Sequence, residues 1–160
     1  MMEITNKACF YLGKKTPIHI SDIRKPKTEC VLENGSLILY IDDKPTTTYS
    51  DDLLNSALQS FLIKQSKRFI EKRVTHYLAH FKVKPRKITI EKSLKKWGTC
   101  NAQRELTFNF MLITKPPEAI DYVVVHELCH MTHLNHDRSF WRLLGSILPD
   151  YKALEKKLNA

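Results

Sequence analysis

The stretch Val123-Val124-Val125-His126-Glu127-Leu128-Cys129-His130, followed six residues later by His136, restricts the fold more than any other part of the chain. On a helix, positions i and i+4 lie one above the other, so His126 and His130 share a face. Two neutral imidazoles at that separation can hold one zinc ion, and Glu127 lies on the adjacent flank within reach of a water on the metal. The three valines give this helix an apolar body to pack by. A third ligand comes from His133 or His136. On a continued helix His126 and His133 would stand ~10 Å apart along the axis, too far for both to meet one ion with bonds of ~2 Å. A turn after His133 brings His136 back instead, with Asn135 expected in the left-handed conformation. His126, His130 and His136 are therefore the expected metal ligands and Glu127 the expected catalytic base, with His133 beside the site or on the surface.

The rest of the 160-residue sequence is read around that helix. At 42% hydrophobic residues it can bury a core, and disorder is excluded. No run approaches the apolar length of a membrane span, and the first residues lack a signal-peptide core, so a cytoplasmic protein with no membrane partner is expected. Cys9, Cys30, Cys100 and Cys129 show no CxxC pairing and fit free thiols in a reducing compartment. Lys and Arg number 26 against 17 Asp and Glu, a net charge of +9, with seven basic residues and one acidic residue between Lys82 and Lys96. That excess suits a nucleic-acid or acidic-protein partner or an ordinary basic surface, and no nucleic-acid-reading motif accompanies it.

Local signals give the elements. Residues 8–13 and 18–23 read as short strands broken by Pro17. Thr28–Glu33 and Ser36–Ile41 flank Asn34-Gly35, a strong hairpin signal. Ser50-Asp51-Asp52 caps a helix of about thirty residues that ends before Pro85. His76 and His80 on it are spaced i, i+4 but lack a glutamate and a third ligand, and read as structural. Strands are expected at Lys87–Glu91 and Glu105–Phe110, joined through a turn or bent strand at Trp97–Asn101, where Gly98 permits close backbone approach or positive φ. Trp97 reads as a core anchor and Cys100 as an inert thiol. Pro116-Pro117-Glu118 opens the His126 helix, Asp137 caps a helix bearing Phe140 and Trp141, and an amphipathic turn runs from Tyr151 to Leu158. The fold class is α+β: small antiparallel sheets packed on a long helix and on the HExxH helix, zincin-like. Residues 1–48 form an N-terminal hairpin region and 49–160 the core, in one compact domain.

Together, Lys96-Trp97-Gly98-Thr99-Cys100, Pro116-Pro117-Glu118, Asp121-Tyr122-Val123-Val124-Val125-His126-Glu127-Leu128-Cys129-His130, Asn135-His136-Asp137-x-x-Phe140-Trp141 and Pro149-Asp150-Tyr151 resemble the YgjP-like zinc metallopeptidase family, related to the SprT-like and WLM metalloprotease domains. Lys96, Thr99 and Asp137 stand where that family usually has Arg, Ser and Ser. Lys at 96 is a point charge and cannot clamp an oxyanion bidentately, which leaves it a weak oxyanion donor. The resemblance implies a zinc cofactor and hydrolysis of a protein or peptide substrate. Residue chemistry agrees: zinc at His126, His130 and His136 activates a water for which Glu127 is the general base.

Three rivals are weighed against this. A metzincin needs a methionine turn beyond the third histidine, and Met1, Met2, Met111 and Met131 all precede His136. Zinc endoribonucleases with the same histidine spacing carry glycine where Glu127 stands. A nucleic-acid-associated zinc-binding module needs no carboxylate there at all.

Overall fold

The computed structural model describes residues 8–47, 49–92 and 95–160. Thr48, at the expected boundary between the two regions, and Ser93 and Leu94, inside the basic stretch, lie outside them. The order is β1 (Ala8–Tyr11), β2 (Lys14–Ile20), β3 (Glu29–Glu33), β4 (Ser36–Tyr40), α1 (Asp51–Tyr77), β5 (Lys87–Glu91), β6 (Gly98–Cys100), β7 (Glu105–Asn109), α2 (Pro117–Cys129), α3 (Arg138–Ile147) and α4 (Tyr151–Asn159). Among the described residues no helix is long and apolar enough to cross a membrane.

The class is α+β, but both sheets are mixed rather than antiparallel. The first runs β1-β2-β4-β3 and the second β5-β7-β6. The β3–β4 hairpin turns at Asn34 and Gly35, both at positive φ (49° and 78°). β2, however, is parallel to β4, and β5 is parallel to β7. Pro17 does not break a strand. It sits inside β2, at the point where the strand exchanges β1 for β4 as its neighbour: residues 14–17 pair with β1 and residues 18–20 with β4. Side chains alternate, so a strand residue that directs its N–H to one neighbour is followed by one that faces the other. Ser21 donates its N–H to the Leu39 carbonyl of β4, so Pro17, of the same parity, falls where β4 would require an N–H that proline lacks.

Ser50 caps α1, its side chain accepting from the N–H of Leu53, and Asp51 and Asp52 occupy the positive first turn. The helix buries Leu54, Leu58, Leu62, Ile70, Val74 and Tyr77, then tightens into a 3-10 turn over Leu78–His80. Its last turns are tied to α2 by Asp121. Arg73 donates from Nε at 2.6 Å and from Nη2 at 2.9 Å to the two carboxylate oxygens, and the Tyr77 hydroxyl donates to Oδ2 at 3.0 Å. A bidentate, half-shielded pair of this kind fixes orientation as well as proximity.

α2 is central. It packs against α1, α3, α4 and β6, and Ala119, Ile120, Tyr122, Val123, Val124, Val125, Leu128 and Cys129 are all buried. A helix buried around nearly its whole circumference is positioned by packing on several sides.

Candidate metal centre

His126 of α2, His130 at its C-cap and His136 beyond it converge. The Nε2 atoms of His126 and His136 are 3.0 Å apart, and those of His130 and His136 are 3.1 Å apart. One ligand atom from each ring lies within 4.8 Å of the others, the arrangement of a group able to hold a metal ion. The chain achieves this by ending α2 at Cys129. Met131 and Thr132 donate to the carbonyls three residues back, His133 to that of Cys129 four residues back, and the chain then bends so that His136 faces the helix it has just left.

Asn135 plays no left-handed part in that return. Among the described residues other than glycine, positive φ occurs at Leu12, Asn34 and Arg104 alone. The early end of α2, the turn over residues 130–132 and a bend at 134–135 reverse the chain without a residue at positive φ. The His133 ring is not part of the cluster, yet its backbone is: His130 Nδ1 lies 2.9 Å from the His133 carbonyl oxygen. A carbonyl only accepts, so His130 carries its proton on Nδ1 and presents a lone pair at Nε2. His76 and His80 also fall outside the cluster. His76 instead meets the Tyr77 ring edge-on.

Phe140 supports all three imidazoles. Asp137 caps α3 by accepting the Phe140 N–H at 2.9 Å, and the fully buried Phe140 ring lies 4.9 Å from His126, 4.6 Å from His130 and 4.9 Å from His136 between centroids. Trp141 stacks on His136 at 5.8 Å and on Tyr151 at 5.5 Å. Sequence reasoning placed Phe140 and Trp141 among the apolar residues of a short helix and missed this supporting role. The available signal was the cap: Asp137 directly after His136 sets both residues one turn from the third histidine.

Glu127 follows His126 roughly 100° around α2, and its side chain packs against β6. It is 6% exposed, and a Cβ added to Gly98 would lie 2.8 Å from its Cγ and 3.1 Å from Oε1. Thus Gly98 serves close approach, and the group approached is the Glu127 side chain. Burial pushes the carboxyl up to about 7, with the Lys96 charge pulling modestly in the opposite direction. Its Oε2 has no hydrogen-bond partner among the described residues, and neither has His126 Nδ1. Burial, then the charges of His130 and His136, hold His126 down to about 4, and burial also lowers His130. Both rings are neutral at neutral pH, the form that ligates.

The donor set fits a divalent metal: three imidazole nitrogens, at least one with its lone pair fixed by a backbone acceptor, beside a buried carboxylate oxygen left without a partner. Nearby, the Trp97 ring is half-buried with the Lys115 ammonium 5.3 Å from its centroid, and its carbonyl accepts from the Asn109 N–H. The half-buried Cys100 thiol is pushed up to about 11 by burial and then by Glu127, which makes it unreactive at neutral pH.

No curated protein matches the sequence significantly. Among solved structures, the chain is similar to the crystal structure of the metallopeptidase zymogen of Pyrococcus abyssi abylysin, with a TM-score of 0.51 and 19% identity over 56% of this chain and 90% of that one. At that identity the likeness concerns the fold alone. The model of the YgjP-like metallopeptidase domain matches residues 3–160, nearly the whole chain, and the protein belongs to that family.

Proposed function

We propose that this metallopeptidase is a zinc enzyme in which His126, His130 and His136 hold the ion and Glu127 is the general base for peptide hydrolysis. The observation that carries the reading is the juxtaposition of three converging imidazole nitrogens with a buried carboxylate on the next residue. Three neutral nitrogens leave one position open in a tetrahedral zinc site. Bound there, zinc would supply the Lewis acidity that activates water and polarises a carbonyl.

The chain's own groups do the rest. Glu127 has an unpartnered Oε2 and a carboxyl pushed up to about 7, so it can take a proton from attacking water near neutral pH and return it to the leaving nitrogen. A cation held beside it favours the ionised, basic form. The Gly98 backbone confines the carboxylate from one side, while the His133 carbonyl and the Phe140 ring keep the imidazoles from turning. Glycine at 127, which the ribonuclease alternative uses, would remove the carboxylate positioned for this.

Glu127→Gln keeps the side-chain shape and removes its basicity. Hydrolysis of an unstructured protein such as casein should fall by about 10²–10⁴-fold with zinc content unchanged. Undiminished cleavage by the zinc-loaded variant would eliminate Glu127 as the base.

A further inference from the structure

The outer face of α1 has no part in the metal centre, and its chemistry is specific. Positions 64, 68 and 72 lie two residues from the buried Leu62, Ser66 and Ile70, roughly 200° around the helix and so away from the core. Lys64, Lys67, Arg68 and Lys72 border one shallow trough there with a single acid, Glu71. All four cations are exposed. The ion pairs among the described residues join Lys25 to Glu29, Arg73 to Asp121 and Lys157 to Glu118, so none of the four is neutralised by a carboxylate.

At Lys64 the trough runs into a groove of about 530 Å³ between α1 and β3. That groove is lined by the half-buried rings of Tyr11 and Phe61, whose centroids are 5.9 Å apart. Arg68 lies near enough to act electrostatically on the Tyr11 hydroxyl, so the aromatic and basic parts are continuous. Glu29 also lines the groove, but it is paired with Lys25 at 3.1 Å.

We infer that this face of α1 binds single-stranded nucleic acid, with phosphates along Lys64, Lys67, Arg68 and Lys72 and a base against Tyr11 and Phe61. Four unpaired cations spread over ~12 Å of helix suit a polymer with a charge at every unit. Aromatic rings in the adjoining groove suit an unstacked base, which a duplex does not offer and an acidic peptide does not contain. The surface is separate from the Lys82–Lys96 stretch that the sequence brought forward, and it does not depend on the peptidase mechanism.

The test is fluorescence anisotropy of the full-length protein with a labelled oligothymidylate of about twenty nucleotides, across a series of salt concentrations. The expected slope of log K against log salt is near −3, about 0.7 for each of four cations. Combined Lys67→Glu, Arg68→Glu and Lys72→Glu should weaken binding at least tenfold and flatten the slope. Tyr11→Ala should weaken it roughly fivefold or more with the slope unchanged. Lys84→Glu with Lys87→Glu serves as a charge-matched control on another element and should leave the specific component in place. Circular dichroism checks that each variant is folded, which exposed α1 positions favour. Wild-type affinity in the folded triple variant would overturn the inference. So would equal affinity, at the same salt, for a duplex of the same length or for polyglutamate.

Discussion

The two helices that dominate this molecule are held in opposite ways. α1, 27 residues long, is fastened along one face and leaves the other to solvent, where four cations stand without an ion pair among the described residues. α2 has 13 residues and is packed on by α1, α3, α4 and β6. Side chains on α2 thus have few alternatives to the positions they occupy, and this helix carries His126 and Glu127, with His130 at its C-cap. Chemistry that needs atoms placed to a fraction of an ångström belongs on such a helix, whereas a surface that meets a flexible polymer can be carried on one fastened from one side.

The comparison can be broken most forcefully at the third histidine, which α2 does not itself carry. His136→Ala should empty the metal centre, while His133→Ala should leave it filled, because His133 contributes a backbone carbonyl that alanine retains. Metal analysis of the purified variants decides this, and a site emptied by His133→Ala alone would reverse the ligand assignment. The contrast in packing comes next. Leu128→Ala on α2 removes a fully buried side chain and should cost about 2–5 kcal/mol. Lys67→Ala on the open face of α1 should stay within about 0.5 kcal/mol of wild type. Urea denaturation of both variants measures the difference, and equal effects would dissolve the distinction between the helices.

A finer probe is Gly98→Ala. The added methyl would press on Glu127 Cγ at 2.8 Å, so the carboxylate must move while the histidines need not. Casein hydrolysis should drop about tenfold or more with zinc retained. Glu127→Asp in the same chain, one methylene shorter, should cost little further. If the two losses simply multiply, the contact is not what matters.

The smallest expected effect is on acid stability after chelation. In the metal-free protein His126 stays neutral down to about 4, while the unfolded chain protonates it near 6.5, so acidification through that window favours unfolding. Glu127 acts oppositely. Its folded form holds a proton up to about 7 against an ordinary 4.5, so it stabilises more as pH falls through that range. The two nearly offset. Glu127→Gln removes the second contribution, and its thermal midpoint should fall between pH 6.5 and 4 more steeply than that of the metal-free wild type.

Much of this was legible in the sequence wherever the determining chemistry is local. Asn34-Gly35 turned a hairpin, Ser50 and Asp137 capped helices, and Pro117 opened α2, because a turn or cap depends on neighbours a few residues away. The parallel pairs β2–β4 and β5–β7 left no such mark, since their partners are separated by about twenty residues and no turn type announces them. Arg73 and Asp121 are 48 residues apart, and nothing local to either residue names the other. Gly98 advertised a close approach without saying to what. Asn135 was a mistaken inference from residue preference, since the chain reversed by ending a helix early.

Pro17 has a consequence beyond strand pairing. A strand that slips by one residue turns every side chain to the wrong face, and here Thr16 and Ile18 are buried while Lys15, Pro17 and His19 are exposed. Sliding β2 two residues along β4 would preserve the faces, so hydrophobicity alone does not forbid it. Such a slide would put Pro17 where His19 now stands in the ladder, with no N–H to donate. The proline therefore works as a register stop, penalising the slip that alternation would tolerate.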